Sequence, residues 1–372
     1  MNTDHYLSPA MQHLADQLIS KQNIINSHTA TIGFDGFIDS IVKLVKKKGS
    51  NGQSEFFTTK EDWGNYILEK KSGNFSVELQ QQQIKIGGNM PNMAAALAKL
   101  GISVNCVGAM GYPVIDPLFS KLPALCKHYS FAPPGTCQAI EFDDGKMMLS
   151  AMDELNKVDW KTIKERIPIA VLIKLFDNAQ LIGLLNWGEL TASTSFWNGL
   201  LQEVLPFVNS NNKTFFVDLS DCSSRTKDEM TEALSLLKKM AAYGKVVLSV
   251  NHNESIFIHN ALFERVNYYN DIKAFGKKLF TYLEVDTLLL HNRDKAVVFR
   301  TNEFAEKKSF FMEAPKLLTG AGDNFNAGFC FAQLMDCCLE DSLLIAHLIS
   351  SYYIKNGESA GWNDLINALR TV

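Results

Sequence analysis

Leu318-Thr319-Gly320-Ala321-Gly322-Asp323-Asn324-Phe325-Asn326-Ala327-Gly328-Phe329 joins a turn of small residues to the start of an apolar repeat. From Thr319 to Gly322 the backbone N–H groups can approach a ligand without side chains intervening. Apolar residues then recur through Phe329, Phe331, Ala332, Leu334 and Met335, which predicts a helix. A glycine-rich turn feeding a helix N-terminus is an anion site, because free amides and the positive dipole end converge there. Asp323 stands at that junction. It reads as a helix N-cap. Beside an anion hole it also reads as a base that takes a proton from an attacking hydroxyl while the amides hold a phosphate.

Three stretches further upstream carry related chemistry. Gly87-Gly88-Asn89-Met90-Pro91-Asn92 precedes an alanine-rich helix that Gly101 stops at C′. A first buried strand, Thr29 to Phe34, ends in Asp35-Gly36-Phe37-Ile38-Asp39, which puts two carboxylates on the loop leaving a strand. Open α/β sheets bind ligands at the carboxyl ends of strands, where such acids can accept paired hydrogen bonds from the vicinal hydroxyls of a sugar. The strand at 245–250 runs into Asn251-His252-Asn253-Glu254. Its asparagine and glutamate, three apart at the opening of a helix, form either a cap or a pair directed at one site. His252 lacks a second metal-type ligand nearby and reads as structural.

The remaining pattern sets the architecture. Residues 8–26 predict an amphipathic helix. Residues 40–86 are less regular, with alternating strands at 75–79 and 83–86 and a basic run of Lys43, Lys46, Lys47 and Lys48 that reads as a solvated face. Cys137 to Leu149 predicts a hairpin turning at Asp143-Asp144-Gly145. From residue 153 onward, strands at 180–186, 214–219, 245–250, 286–290 and 296–300 alternate with helices near 192–208, 225–242, 253–264 and 269–282. That order predicts a mostly parallel sheet covered on both faces. One α/β domain spanning 1–372 accounts for the chain better than two.

Composition narrows the partners. Of the 372 residues, 46% are hydrophobic and 20% charged, as in a soluble globular protein. A net charge of −4 leaves no basic footprint for nucleic acid or an anionic membrane. No apolar run reaches the ~18 residues of a membrane span, and the N-terminus has no signal-peptide pattern. Seven cysteines without a C-x-x-C pair read as reduced thiols in the cytoplasm.

The run Gly-Ala-Gly-Asp-x-Phe-x-Ala-Gly-Phe closely resembles the second signature of the PfkB, or ribokinase-like, carbohydrate kinases. Gly87-Gly88 with Asn92 and the following Ala-rich helix ending in Leu100-Gly101 resembles the first. The resemblance implies a three-layer α/β sandwich with a mostly parallel central sheet and a small β-sheet lid, its strands inserted from about 40–86 and 130–150. It assigns the anion hole to Gly320, Ala321 and Gly322 and the catalytic base to Asp323. Gly87, Gly88 and Asn92 become sugar contacts; so does Asp39, with Asp35 as the second candidate. Asn251 and Glu254 match an Asn-x-x-Glu that organises the hydration shell of magnesium and the transferred phosphate. Thr319, Asn326, Asn292 and Asn356 fall along the nucleotide path. ATP and Mg2+ are the implied cofactors, and a homodimer joined through the lid is the assembly the family admits.

The chain departs from the family pattern in four places. Leu317-Leu318 stands where Asp-Thr is usual, and Leu290-His291-Asn292-Arg293-Asp294-Lys295 replaces Thr-x-Gly-x-x-Gly. Gly111-Tyr112-Pro113 replaces Gly-x-Asp. Asp218 ends a strand where the family often has an acid followed by Arg, and here the basic residue is delayed to Arg225. There is no Walker A sequence. The reading is an ATP-dependent sugar kinase. Its alternatives are a nucleoside kinase of the same superfamily, with Phe37, Trp63 or Tyr112 against the base, and a sugar-binding sensor without turnover. A phosphosugar acceptor would draw on Lys43, Lys46 or Arg225.

Overall fold

The computed structural model describes residues 9–49, 53–266, 268–310 and 316–371. Its strands, in chain order, are β1 (Thr29–Gly33), β2 (Phe37–Lys48), β3 (Ser54–Phe56), β4 (Leu79–Gly87), β5 (Ser103–Gly108), β6 (Cys126–Ser130) and β7 (Gly135–Phe142). They continue as β8 (Gly145–Ala151), β9 (Leu181–Leu185), β10 (Thr214–Asp218), β11 (Lys245–Asn251), β12 (Thr287–His291), β13 (Lys295–Arg300) and β14 (Glu303–Lys308).

Nine strands form one sheet in the order β14-β13-β12-β11-β10-β9-β1-β5-β6. All neighbours from β12 to β6 pair parallel, and β13 and β14 close the far edge antiparallel. Strand residues alternate between two cores, as the period of two demands. Ile182, Leu184, Phe215, Val217 and Leu248 pack on one side, under the helices Ile169–Asn178, Lys227–Met240 and Ile272–Leu283. Leu181, Leu185, Phe216, Val247 and Leu289 pack on the other, under Asn89–Lys99, Ala321–Leu334 and Leu339–Asn356. The result is the three-layer arrangement the strand–helix alternation predicts. β1 lies between β5 and β9, so the chain leaves it in both directions. That reversal opens a crevice at the carboxyl ends of the strands.

A second, five-stranded sheet forms the lid. β2 is its spine: β3 and β4 pair with it antiparallel and β7 parallel, and β8 extends β7. Phe37 at one end of β2 belongs to the main core, whereas Val42 and Leu44 join Phe57, Ile140 and Phe142 in a small core of the lid's own. The helix Lys60–Glu69 covers that small core, with Trp63 and Tyr66 set against Phe57 at 5.1 and 5.0 Å between ring centroids.

Several expectations are corrected here. Asp39 lies on β2, within a strand and not on a loop. Residues 75–78 are not strand; β4 begins at Leu79. The helix expected over 8–26 is two helices, Pro9–Ser20 and Gln22–Ile25, with residue 8 outside the described residues. β3, β6, β14 and the helices Lys60–Glu69, Trp160–Arg166 and Ile169–Asn178 have no counterpart in the sequence reading. The basic run lies on the lid's outer end: Lys46 pairs with Asp62, Lys48 with Glu78, and the Lys43 ammonium sits 5.6 Å from the Phe56 ring centre. Arg225 is buried, its guanidinium donating to the carbonyls of Trp187, Gly188 and Leu190. These lysines sit on the lid, and Arg225 braces the loop after β9.

Asp35 ties β1 to the helix Asn89–Lys99. Its carboxylate accepts the backbone N–H of Asn89 at 2.8 Å and of Met90 at 2.7 Å, two first-turn amides the helix cannot satisfy itself. It also accepts Asn186 Nδ2 at 2.9 Å. Despite those donors, burial pushes its pKa up to about 6. An acid whose pKa is higher folded than unfolded makes the folded state bind more protons, so stability falls as pH rises between the two values. Urea unfolding of the ligand-free protein is expected to show stability decreasing from about pH 4 to about pH 6, with up to about 3 kcal/mol of that slope due to Asp35. Asp35→Asn flattens this window, whatever its absolute cost; an unchanged slope counts against the assignment.

Candidate active site

The cleft at the carboxyl ends of β10, β11 and β12 is about 460 Å³ and is lined from three directions. Asp218 and Asp221 follow β10, Asn251 and Glu254 follow β11, and Gly320, Gly322 and Asp323 come from the turn opening the helix Ala321–Leu334. Asn89, the first residue of the helix after Gly87-Gly88, closes the fourth side.

Gly320 is the N-cap of its helix at φ +94°, a conformation that favours glycine. A Cβ there would also lie 2.6 Å from the Tyr353 hydroxyl and 3.1 Å from Asn92 Nδ2. Tyr353 Oη donates to the Thr319 carbonyl at 2.7 Å, and Ser350 Oγ to the Ala321 carbonyl at 3.0 Å, so the helix Leu339–Asn356 holds the turn in place. Asp323 is therefore the third helical residue and not the N-cap. The Ala321 N–H donates to the Leu318 carbonyl. The first-turn amides that an α-helix leaves unpaired then belong to Gly322 and Asp323, both on the cleft. Nothing lies within 4 Å of where a Gly322 Cβ would stand. Space for an anion is present.

Asp323 is buried, and its carboxylate accepts Asn92 Nδ2 at 2.9 Å. This bond joins the first glycine turn to the second. Burial, then the nearby carboxylates of Asp218 and Asp35, push the Asp323 pKa well above the usual range, against the pull of Asn92 and Asn89. Glu254 is pushed up in the same way by burial, Asp218, Asp221 and Asp323. Burial brings Asp218 to about 6. Such a cleft is poised to take a cation. Among the described residues no three acidic, histidine or cysteine side chains stand close enough to cage a metal directly.

Asn251 and Glu254 form a reciprocal capping box. The Glu254 N–H donates to Asn251 Oδ1 at 3.0 Å, the Asn251 N–H to Glu254 Oε2 at 2.9 Å, and Asn251 Nδ2 reaches Glu254 Oε1. Cap and site are the same residues, since both line the cleft. Three expected nucleotide contacts instead hold backbone or acid in place. Asn326 is 1% exposed; its amide donates to Asp218 Oδ2 at 2.5 Å and accepts Ser249 Oγ at 2.9 Å. Asn292 closes its own hairpin turn by accepting the N–H of Asp294 and Lys295. Asn356 donates to the Tyr352 carbonyl and accepts Lys316 Nζ at 3.0 Å. Thr319 meets Tyr353 through its carbonyl.

On the lid side, Asp39 faces Lys85 across β2 and β4 and Cys137 across β2 and β7. Burial raises the Asp39 pKa while the ammoniums of Lys85 and Lys146 lower it. Gly87 and Gly88 make room for the two acids: a Cβ on Gly87 would lie 2.3 Å from Asp39 Oδ1, and one on Gly88, at φ +97°, 3.0 Å from Asp35 Oδ2. Sequence reasoning missed Asn89, Asp221, His291, Lys85, Asn186 and Glu189. Asn186 Nδ2 lies 2.9 Å from both Asp35 and Glu189 carboxylate oxygens. Asn186 and His291 each stand at a strand end, and Lys85 alternates with Ile84 and Ile86, signals that were available.

No described helix is long and apolar enough to cross a membrane. The fold is shared with Arabidopsis thaliana ribokinase complexed with ribose and ATP, at TM-score 0.65 and 16% identity over 93% of this chain and 99% of that one. It is shared equally with adenosine kinase from Sinorhizobium meliloti, at TM-score 0.63 and 16% identity over 92% and 98% of the two chains. A ketohexokinase of Haloferax volcanii is 26% identical over 338 residues, which are 90% of this chain and 88% of that protein. The profile of the family described as prokaryotic ketohexokinase matches residues 10–371. With the two glycine turns joined at one buried aspartate inside a ribokinase fold, this chain belongs to the prokaryotic ketohexokinase family of ribokinase-like sugar kinases.

Proposed function

We propose that this sugar kinase transfers the γ-phosphate of ATP to a hydroxyl of a ketohexose, with Asp323 as the base. The observation that supports this most is the bond from Asn92 to Asp323, because it brings the turn beside Asp39 and the turn at Gly320–Asp323 to the same carboxylate. A sugar held by Asp39 and the Gly87-Gly88 backbone then presents a hydroxyl to Asp323, which accepts its proton as the oxygen attacks phosphorus. The amides of Gly322 and Asp323 stabilise charge developing on the transferred group. Magnesium, placed through Glu254 and Asn251 by way of water, would neutralise the phosphates and draw Asp323 toward its ionised form. Closure of the lid, inserted into a single kinase domain, excludes water from the reaction.

The cytoplasm, where ATP is made available and thiols stay reduced, is the proposed compartment; all seven cysteines are free. Pairing of two copies through the lid is proposed on the exposed apolar side chains of Leu79, Ile84 and Leu149. Of the three aromatics named for a nucleoside base, two are committed to cores and Tyr112 stays exposed. Phe37 belongs to the main core, Trp63 covers the lid's small core, and the Tyr112 ring lies 4.5 Å from the Arg166 guanidinium. The sensor reading has no observation in its favour.

ATP-dependent phosphorylation is to be measured on fructose, other ketohexoses, ribose, fructose 6-phosphate and adenosine. Turnover is expected on a ketohexose, and Asp323→Asn is expected to lower kcat by about 10²–10⁴ while sugar binding persists. Turnover on adenosine alone would replace the substrate assignment; an active Asp323→Asn would remove the base. Gly87→Ala is expected to raise the sugar KM by about tenfold or more with little change in the KM for ATP, since its methyl displaces Asp39. An equal rise in both constants would show that the turn does not serve the sugar specifically.

A further inference from the structure

At the opposite end of the sheet lies a second cavity, of about 210 Å³, under the last turns of the helix Ala321–Leu334. It is bounded by the first residues of β9, β10, β11 and β12 and by Arg300 at the end of β13, which runs the other way and so reaches the same edge. Leu181, Phe216, Val247, Phe329 and Leu334 make one part of its wall apolar, and Thr287 and Gln333 stand among the polar remainder. Its mouth carries two basic side chains. Lys245 and Arg300 line it, and the one acid on the lining, Asp336, stands 3.8 Å from Lys21 Nζ. Arg300 is oriented by Thr287 Oγ1, which accepts its Nε at 3.2 Å, and by Gln333 Oε1, which accepts Nη2 at 2.5 Å, while its Nη1 stands 3.8 Å from the exposed Glu303 carboxylate, which a ligand carboxylate would displace. Thr214 adds a hydroxyl.

We propose that this cavity binds a small organic carboxylate, its apolar body against the Leu181, Phe216 and Phe329 side chains and its charged end at Lys245 and Arg300. A volume of about 210 Å³ holds roughly seven waters' worth of ligand, enough for one ring or a short chain. The apolar part of the wall offers an apolar body a favourable transfer from water, and a guanidinium already held in place accepts a carboxylate with little further ordering cost. The cavity is also coupled to the catalytic turn. Gln333 and Asp323 lie ten residues apart on one helix buried along most of its length, a span of about 15 Å along its axis. A ligand that shifts Gln333 moves a rigid rod whose other end carries Gly322 and Asp323, so occupancy regulates the kinase from a distance. The coupling, though not the binding, rests on the proposed role of Asp323.

The test is calorimetric titration of the full-length protein with benzoate and with benzyl alcohol, its neutral counterpart of similar size. Benzoate is expected to bind, and benzyl alcohol to bind about tenfold or more weakly. Lys245→Met, at an exposed position, is expected to weaken benzoate by about the same factor, and Leu181→Trp, which fills the cavity, to abolish it. Absence of benzoate heat, equal affinity for the alcohol, or undiminished affinity in Lys245→Met or in a folded Leu181→Trp would each overturn the site. Binding is read without turnover, so a failed kinase assignment does not imitate a failed site. If saturating benzoate leaves both kcat and the KM values unchanged, the coupling along the helix is overturned.

Discussion

Uncompensated negative charge at the carboxyl edge of the sheet is the constraint that the rest of this structure accommodates. Asp35, Asp39, Glu189, Asp218, Glu254 and Asp323 converge there, and burial raises the pKa of every one. Burying acids without paired bases is costly. The fold meets that cost with neutral donors. Asn186 donates to Asp35 and Glu189, Asn326 to Asp218, Asn92 to Asp323 and Asn251 to Glu254, while helix N-termini supply further N–H groups. Asparagine suits this task because it donates without cancelling the charge. Apart from Lys85 and Lys146 beside Asp39, the site stays short of cations.

The same constraint explains what the sequence made legible. Glycine before a helix, an acid after a strand and an Asn-x-x-Glu pair are local patterns whose physics is written within a few residues. They located both turns, Asp323, Asp35 and the Asn251–Glu254 box, whereas Asp39, expected on the loop, lies on β2. The alternation of β9 to β13 likewise predicted a sheet buried on both faces. What could not be read is pairing across sequence distance. Asn326 looked like a nucleotide contact because it lies in the signature, yet its partner Asp218 is 108 residues away. Asn186 and Lys85 acquire meaning only once β9 lies beside β1 and β4 beside β2. The helix Lys60–Glu69 escaped for a different reason. It has no buried residue of its own and is needed only because β2 carries Val42 and Leu44 beyond the main core.

The departures from the family pattern also acquire a structural account. Where the hairpin after β12 carries His291-Asn292-Arg293-Asp294, Asn292 spends its side chain on the turn, and His291 takes the place on the cleft. Burial and the neighbouring His347 hold the His291 pKa down to about 4, so it faces the cleft as a neutral ring at physiological pH. A neutral ring beside Glu254 adds no counter-charge there. The nucleotide side of the cleft thus remains dependent on metal for its positive charge.

Lys85 shows why the lid matters electrostatically as well as sterically. It stands opposite Asp39 on the lid; burial lowers its pKa, while the carboxylates of Asp39 and then Asp323 pull the other way. On the proposed mechanism Asp323 must be ionised to act, whereas burial and the neighbouring carboxylates favour its protonated form. A lid that closed inward would bring Lys85 nearer that carboxylate in the same step that expels water. Lower dielectric strengthens the attraction between them as solvent leaves. The base would then become competent as the site closes, and a sugar-free enzyme, with its lid open, would hold Asp323 protonated and leave ATP intact.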